Sequence, residues 1–132
     1  MLRLGRGAFD DICASAFRAY PLEMCGLVSG PAGEEAARFH PCRNDAESAR
    51  VYTINPLDFM AAEDAADDEG WEITGVVHSH THSEPYPSPT DVAQAIDPEW
   101  HYLIVSLKRD GPELRSYRIV DGEITEEPVD LA

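Results

Sequence analysis

An apolar, β-branched run that ends in alternating histidines is the feature of this sequence that most limits its fold. Residues 73–78 read Ile-Thr-Gly-Val-Val-His, and short continuous apolar runs are typical of interior strands that are covered on both faces. Alternate residues of a strand point to the same face, so His78 and His80 are predicted to lie side by side where this strand ends. The fold therefore contains a covered sheet that presents two imidazoles at one end.

The segment after this strand supplies a third candidate ligand. Ser88 and Pro89 are predicted to begin a helix as its N-cap and first residue, with Asp91 in the first turn. From there the carboxylate of Asp91 can fold back toward His78 and His80. Two imidazoles and one carboxylate with an open fourth position are typical of a catalytic zinc site, whereas structural sites more often use cysteine. The sequence predicts one zinc ion per chain.

A catalytic zinc site also needs a group that moves protons, and Glu23 is the candidate. It directly precedes residues 24–28, an apolar segment predicted to be a buried strand. An acid at that position is costly to bury unless it has a partner or a chemical task. Considered alone, Glu23 is more often a surface acid at a strand edge. The nearby cluster of histidines and aspartate favours a role in proton transfer instead.

Together these residues closely resemble the JAMM (MPN+) metalloprotease motif, which has an upstream glutamate, His-x-His, a serine after seven further residues and an aspartate after two more. All five positions are filled here, by Glu23, His78, His80, Ser88 and Asp91. The resemblance implies that the two histidines and the aspartate bind zinc and that the glutamate activates the water. It also implies that the Ser88 hydroxyl helps to stabilise the oxyanion of the tetrahedral intermediate.

The resemblance covers most of the chain and implies an α/β (α+β) fold. This is a curved mixed β-sheet flanked by helices, a JAMM/MPN-like architecture similar to that of cytidine deaminases. Eukaryotic members usually carry aromatic residues where Val76 and Val77 stand here, and they contain insertions that grip ubiquitin chains. At 132 residues, the chain is more similar to the compact, stand-alone prokaryotic enzymes that trim ubiquitin-like sulfur-carrier proteins to a Gly-Gly end.

The implied function is that of a zinc-dependent, deubiquitinase-like metallopeptidase. Its substrate would be a peptide or isopeptide bond at the C-terminal Gly-Gly tail of a small ubiquitin-like protein. Two other functions stay open from the residues alone: a non-catalytic MPN-type scaffold, and a zinc hydrolase of a small-molecule amide. The absence of His-x-Glu together with Pro-Cys-x-x-Cys argues against nucleobase deamination.

Hydrophobic patterns predict interleaved strands and helices, as in a mixed-sheet domain that spans residues 1–132. A first helix is predicted to end at Pro21 and to bury Phe9, Ile12, Cys13, Ala16, Phe17 and Tyr20. A second is predicted over residues 56–68 behind an Asn55 cap, with Phe59, Met60 and Ala62 buried. Strands are predicted at residues 24–28, 35–42, 51–54, 73–78, 101–107 and 114–120, and a short one after the Asp121-Gly122 turn.

Charge limits the partners of this chain. Twenty-five acidic and ten basic residues give a net charge of −15, which argues against nucleic acid or an anionic membrane, because both bind clustered cations. No Lys or Arg lies between Arg50 and Lys108, where eleven acids occur. Of these acids, Asp91 and Glu84 lie in or near the loop that follows His78 and His80. Their negative charge favours the binding of a dication and of a positively charged partner. An ordinary and a salt-adapted host explain the acidity equally well.

Cysteine usage and the lack of long apolar runs indicate the compartment. The three cysteines cannot all pair, and no segment has the length of a signal peptide core or a membrane span. The predicted location is therefore the cytoplasm. The sequence carries no signal for an oligomeric state.

Other polar or reactive residues near the motif receive simpler interpretations. Cys25 is predicted to be a small buried core residue rather than a nucleophile. His82 extends the alternation to a third histidine, but its place in the loop favours a solvent-facing position or one outside the ligand set. The polar stretch that contains Arg43, Asn44 and Arg50 lies between predicted strands, where a substrate tail could meet it.

Overall fold

Two β-sheets and three helices make up the fold of residues 1–132, which we describe from a computed structural model. The helices are α1 (Arg6–Ala19), α2 (Pro56–Asp68) and α3 (Pro89–Gln94). The strands are β1 (Leu2–Leu4), β2 (Cys25–Gly30), β3 (Glu35–Ala36), β4 (Arg38–Cys42), β5 (Glu72–His80), β6 (His101–Ser106), β7 (Glu113–Val120), β8 (Glu123–Glu127) and β9 (Val129–Leu131). None of the helices has the length and hydrophobicity of a transmembrane segment.

The larger sheet has six strands in the order β4-β2-β5-β6-β7-β8. Only β5 and β6 run parallel, and all other neighbours are antiparallel. β5 and β6 are the central pair, and every residue of β6 and residues 74–80 of β5 are buried. The apolar run therefore forms an interior strand as predicted, and the mixed sheet with helices confirms the predicted fold class.

Alternate residues of the central strands pack against helices on opposite faces of this sheet. Val77 and Leu103 lie in the hydrophobic cluster that contains Ile12 of α1. Val76 and Tyr102 lie in a second cluster, which contains residues of α2. Full burial of one such side chain stabilises the fold by about 1.5–3 kcal/mol. β5 is thus held from both sides, and so is the end that carries His78 and His80.

Helix α1 buries most of the predicted face, since Ile12 and Ala16 are buried and Phe9 and Cys13 pack against the core, but its edge residues differ. Phe17 and Tyr20 are 55% and 48% exposed, whereas Ala8, Ile12 and Ala16 are buried. These three residues are spaced four apart and share one face of the helix. Two of the three are alanines, which let the helix backbone approach the sheet closely. The prediction that Phe17 and Tyr20 are buried is wrong.

The α2 helix begins as predicted, and of its predicted buried residues Ala62 is buried and Phe59 packs against the core, whereas Met60 is not buried. The Asn55 side chain accepts hydrogen bonds from the backbone of Leu57 and Asp58, which confirms the cap. Ala62 and Ala66 are buried, while Met60 is 59% exposed. Met60 was predicted to be buried, and that prediction is wrong because the helix rests on small residues.

Residues 51–54 do not form the predicted strand. A single bridge joins Ile54 to Asn44, and the Thr53 N–H donates to the Asn44 side-chain oxygen at 2.9 Å. The Asn44 amide also donates to the Val51 carbonyl at 3.2 Å. A side chain therefore satisfies the backbone groups that a strand partner would otherwise take.

A second sheet of three short parallel strands was not predicted. Its order is β3-β1-β9, so it joins the first residues of the chain to the last ones. β3 and β4 were predicted as one strand at residues 35–42. In the structure β3 pairs with β1 in the second sheet, and only β4 forms the hairpin with β2. Strands of two or three residues carry no readable periodicity, which is why the pattern missed them.

The buried carboxylate of Glu127 ties the N-terminus to the end of β8. The Glu127 carboxylate accepts hydrogen bonds from His101 Nδ1 at 2.7 Å and from the Ser116 hydroxyl at 2.8 Å, and the amine of Met1 lies 3.4 Å away. The other His101 nitrogen faces the Gly33 carbonyl at 2.7 Å. Burial raises the pKa of Glu127, but these hydrogen bonds more than offset it, and the pKa is lowered overall.

We expect Glu127 to make the stability of the fold depend on pH. Because the pKa of Glu127 is lowered by folding, its contribution is present above the unfolded-state pKa of about 4.3 and is lost as the pH falls through the folded-state value. Glu127→Gln should cost about 1.5–3 kcal/mol at pH 7, the range for a hydrogen bond to a charged group. Thermal unfolding followed by circular dichroism should show this gap closing as the pH falls below the unfolded-state pKa of about 4.3. A gap that stays constant with pH would contradict the assignment.

Candidate metal centre

Three candidate ligand atoms converge at the end of β5. The Nε2 atoms of His78 and His80 and the Oδ2 atom of Asp91 lie 3.1 Å from one another in each pair. All three residues are buried, and they form the one group of histidine, cysteine or acidic side chains whose ligand atoms lie close enough to hold a metal ion. The structure brings together the three residues that the spacing singled out.

The local folding of α3 explains how Asp91 reaches this point. The Ser88 hydroxyl accepts a hydrogen bond from the Asp91 N–H at 3.1 Å, and Asp91 Oδ2 accepts one from the Ser88 N–H at 2.8 Å. This reciprocal capping box starts the helix and turns the carboxylate back toward β5. Ser88 therefore positions Asp91, in addition to the role that the motif implies for its hydroxyl.

Two contacts orient the imidazoles. His80 Nδ1 donates to the Glu84 carbonyl at 2.7 Å, and this assigns the lone pair to Nε2, which faces the other ligand atoms. The Tyr52 ring stacks on His78 with centroids 4.5 Å apart and an angle of 23°. Tyr52 lies in an irregular segment whose sequence pattern gives no sign of this contact.

The donor set fits a zinc ion. Burial lowers the pKa of His78, which favours the neutral, ligating imidazole. Burial raises the pKa of Asp91, but hydrogen bonds with His78 and His80 hold it well below its usual range. Ligand separations of 3.1 Å are close to the edge of about 3.3 Å for a tetrahedron with metal–nitrogen bonds of about 2.0–2.1 Å.

Glu23 lies beside these ligands and is 3% exposed. Its Oε1 atom is buried and has no hydrogen-bond partner. Burial raises the pKa of Glu23 to about 7, with a lowering effect from His80 and a smaller raising effect from Asp91. The backbone is held on both sides, since the Glu23 N–H donates to the Ser48 carbonyl at 2.7 Å and the Asn44 amide donates to the Glu23 carbonyl at 3.1 Å. The acid is therefore inside the site, contrary to the surface position that is usual for a strand-edge glutamate.

Other candidates from the sequence lie outside this group. His82 is exposed and contacts the edge of Tyr20, which confirms its solvent-facing position. Cys25 is 1% exposed, and burial raises its thiol pKa to about 12, which confirms a core residue. The Glu84 carboxylate pairs with Lys108 and Arg109, at 3.2 and 2.6 Å. Glu84 contacts the metal centre only through its backbone carbonyl, which accepts the hydrogen bond from His80.

A polar cavity and an apolar cavity lie beside the metal ligands. A polar cavity of about 290 Å³ is lined by Glu23, Ala49, Arg50, His80, Thr81, His82, Ser83 and Ser88. An apolar cavity of about 440 Å³ begins at Tyr52, which stacks on His78, and includes Phe59 of α2 and Trp100. The polar cavity therefore contains the candidate proton-transfer residue, and the apolar cavity adjoins the centre through Tyr52.

A mixed sheet that carries two histidines and an aspartate at a strand end, beside a buried glutamate, defines a JAB1/MPN-type domain. A solved JAB1/MPN domain protein from Archaeoglobus fulgidus shares this fold, with a TM-score of 0.63 and 22% identity over 98% of this chain and 99% of the other. The chain itself belongs to the Prok-JAB family, the prokaryotic homologs of the JAB domain, which it matches over residues 6–120. The predicted relationship to the compact prokaryotic JAMM proteins is thereby confirmed.

Two relatives that are named for an activity are similar over most of their length. The chain is 41% identical over 124 residues to the CysO-cysteine peptidase of Mycobacterium tuberculosis, an alignment that covers 92% of this chain and 85% of the relative. It is 35% identical over 111 residues to the desampylase of Haloferax volcanii, with 80% of each chain covered.

Proposed function

We propose that this chain is a zinc-dependent JAMM-type peptidase that cleaves a peptide or isopeptide bond at the C-terminal Gly-Gly tail of a small ubiquitin-like sulfur-carrier protein. The observation that carries the proposal is the unpartnered Oε1 atom of buried Glu23 beside three converging ligand atoms. The relationship to a CysO-cysteine peptidase and a desampylase supports peptidase activity on conjugates of this kind.

In this proposal His78, His80 and Asp91 hold one zinc ion per chain. Their nitrogen and oxygen donors, burial and separations suit that metal. When bound, zinc supplies Lewis acidity toward the scissile carbonyl and lowers the pKa of water to about 7.

Glu23 moves the proton in the proposed reaction. Its carboxylate accepts a proton from the attacking water and then delivers it to the leaving amine, so that the amine departs as a neutral group. A pKa of about 7, raised by burial, suits both steps at neutral pH, because the group exchanges a proton readily in either direction. The Glu23 carboxylate, whose Oε1 atom has no hydrogen-bond partner in the protein, is the group at which this exchange takes place.

The Ser88 hydroxyl donates a hydrogen bond to the substrate in the proposed reaction. Its oxygen accepts the Asp91 N–H through a lone pair, which leaves the hydroxyl hydrogen available. Ser88 lines the same polar cavity as Glu23, so this hydrogen can stabilise the developing oxyanion of the substrate.

A scaffold without catalytic activity would not explain Glu23. Its buried carboxylate lies beside three converging ligand atoms and lines the cavity that contains His80 and Ser88. That position suits a group that exchanges protons with a substrate better than one that stabilises a scaffold.

We further propose that the 132 residues act as one catalytic domain in the cytoplasm. The three cysteines are unpaired, which supports a reducing compartment. The strongly acidic surface supports a protein partner with positive charge rather than nucleic acid.

Metal removal tests the proposal directly. We expect the purified protein to contain one zinc ion per chain, to remove cysteine from CysO-cysteine, and to lose this activity after treatment with 1,10-phenanthroline. Zinc added after removal of the chelator should restore the activity. Elemental analysis measures the metal, and mass spectrometry of the product measures the cleaved bond. Full activity in metal-free protein would contradict the proposal.

A further inference from the structure

We propose that Arg50 binds the free α-carboxylate of the amino acid that leaves, so that the enzyme prefers a single residue in linear peptide linkage after Gly-Gly. The inference rests on the proposed function and assigns one side of the site to the leaving group. It predicts discrimination against amines that carry no neighbouring carboxylate, such as the side chain of a lysine in a protein.

The position of Glu23 shows where the leaving group lies. A general acid must come within hydrogen-bond reach of the atom that it protonates. The leaving amine is therefore next to both Glu23 and the metal ligands. Glu23 borders two cavities, and of these only the polar cavity of about 290 Å³ is also lined by His80 and Ser88, whereas the other, of about 550 Å³, contains no ligand residue. The volume of the polar cavity is at the lower end of ligand pockets, which span about 300–1,000 Å³. It suits one amino acid better than a folded protein.

Arg50 is the only Lys or Arg that lines this cavity. It forms no ion pair, although the chain has 25 acids. The neighbouring Arg43, in contrast, pairs with Asp58 at 3.0 Å and also donates to Asn55. The Arg50 guanidinium is thus free to form a bidentate contact with a carboxylate.

The segment that carries Arg50 is anchored at the cavity. The Thr81 hydroxyl donates to the Ala49 carbonyl at 3.3 Å, and the Asn44 amide donates to the Val51 carbonyl at 3.2 Å. The Arg50 N–H itself donates to the Ser48 hydroxyl at 3.0 Å. Ala49 is therefore bonded to the loop after β5, and Val51 is bonded to Asn44, whose amide also holds the Glu23 carbonyl.

The chemistry of an amino acid matches this arrangement. The amine and the carboxylate are attached to the same carbon, so a leaving residue whose nitrogen meets Glu23 keeps its carboxylate inside the same cavity. Arg50 supplies the only permanent positive charge there. A lysine side chain places its carboxyl group several bonds away, and its cationic product gains nothing from an arginine.

Matched conjugates test this inference. The probes are CysO extended by one cysteine with a free carboxylate, the same conjugate with a C-terminal amide, and CysO joined to the ε-amine of Nα-acetyl-lysine amide. We expect the zinc-loaded protein to cleave the free acid with a kcat/KM about tenfold or more above the amide, as a charged hydrogen bond provides. Arg50→Gln should lower only the free-acid rate, mainly through KM, and bring it to the rate of the amide.

Two further variants sharpen the comparison. Arg50→Lys should keep part of the preference, because it retains the charge but loses the bidentate geometry. Arg43→Gln removes an exposed arginine of the same segment that already has an acidic partner, and it should leave the ratio of free-acid to amide rates unchanged.

Binding gives a readout that is independent of turnover. In a Glu23→Gln background, fluorescence anisotropy should show tighter binding of a labelled tail peptide that ends in Gly-Gly-Cys when its carboxylate is free. The additional Arg50→Gln change should remove this difference. Equal cleavage of acid and amide, or an equal loss on both in Arg50→Gln, would overturn the inference and leave the proposed function intact. Failure to cleave any conjugate would overturn both.

Discussion

Glu23→Gln should lower turnover of CysO-cysteine by about 10²–10⁴-fold, the range for loss of a positioned general acid–base group. Glutamine keeps the size of the side chain but neither accepts nor delivers the proton. Zinc content should stay at one ion per chain, because the ligand atoms come from His78, His80 and Asp91. The melting temperature should not fall, since the change removes an ionisable group that is buried with an unpartnered oxygen.

Glu123→Gln is the matched control for this variant. Glu123 is exposed and begins β8, an edge strand three positions from β5 in the larger sheet. Its replacement should change neither turnover nor zinc content. Steady-state kinetics, elemental analysis and thermal unfolding on the same preparations measure all three quantities. Near-normal turnover in Glu23→Gln would show that the assigned proton-transfer residue is wrong.

His78→Ala should abolish both zinc binding and cleavage. The substitution removes one of three ligand atoms that lie 3.1 Å apart, and the two remaining ligands are too few for a tetrahedral site with one open position. A ligand that binds only the folded state raises its stability. Added zinc should therefore raise the melting temperature of metal-free wild-type protein and leave that of the variant unchanged.

His82→Ala provides the control for metal content. His82 continues the alternation of histidines two residues beyond His80, but its side chain is exposed and lies outside the ligand group. The variant should retain one zinc ion per chain. Loss of zinc in His82→Ala, or full occupancy in His78→Ala, would contradict the ligand assignment. Because Ala leaves a space next to Tyr52, circular dichroism should first establish that His78→Ala is folded.

Much of the site follows from local sequence. Alternation along β5 places His78 and His80 on one face, and the Ser88-Pro89 start of α3 orients Asp91 through a capping box. Each of these relationships extends over only a few residues. The spacing therefore predicts that the three side chains meet without any knowledge of distant contacts.

Helix faces and short strands show where local pattern is insufficient. Phe17 and Met60 fit the apolar period of their helices but are exposed, since the sheet selects small residues for close approach. β1 and β9 pair across almost the whole length of the chain. Their three residues each carry no periodic signal, so only the closed fold defines them.

The sequence by itself determined the ligand set, the covered central strand and the family, because each depends on residue type and short spacing. Tertiary structure alone decided that Glu23 is buried with a free oxygen, that Tyr52 stacks on His78, and that Arg50 lines the cavity beside Glu23. These contacts join segments that are distant in sequence. Hydrophobic periodicity describes one element at a time and does not predict which distant segments meet. The environment that raises the pKa of Glu23 to about 7 is therefore a property of packing rather than of local sequence.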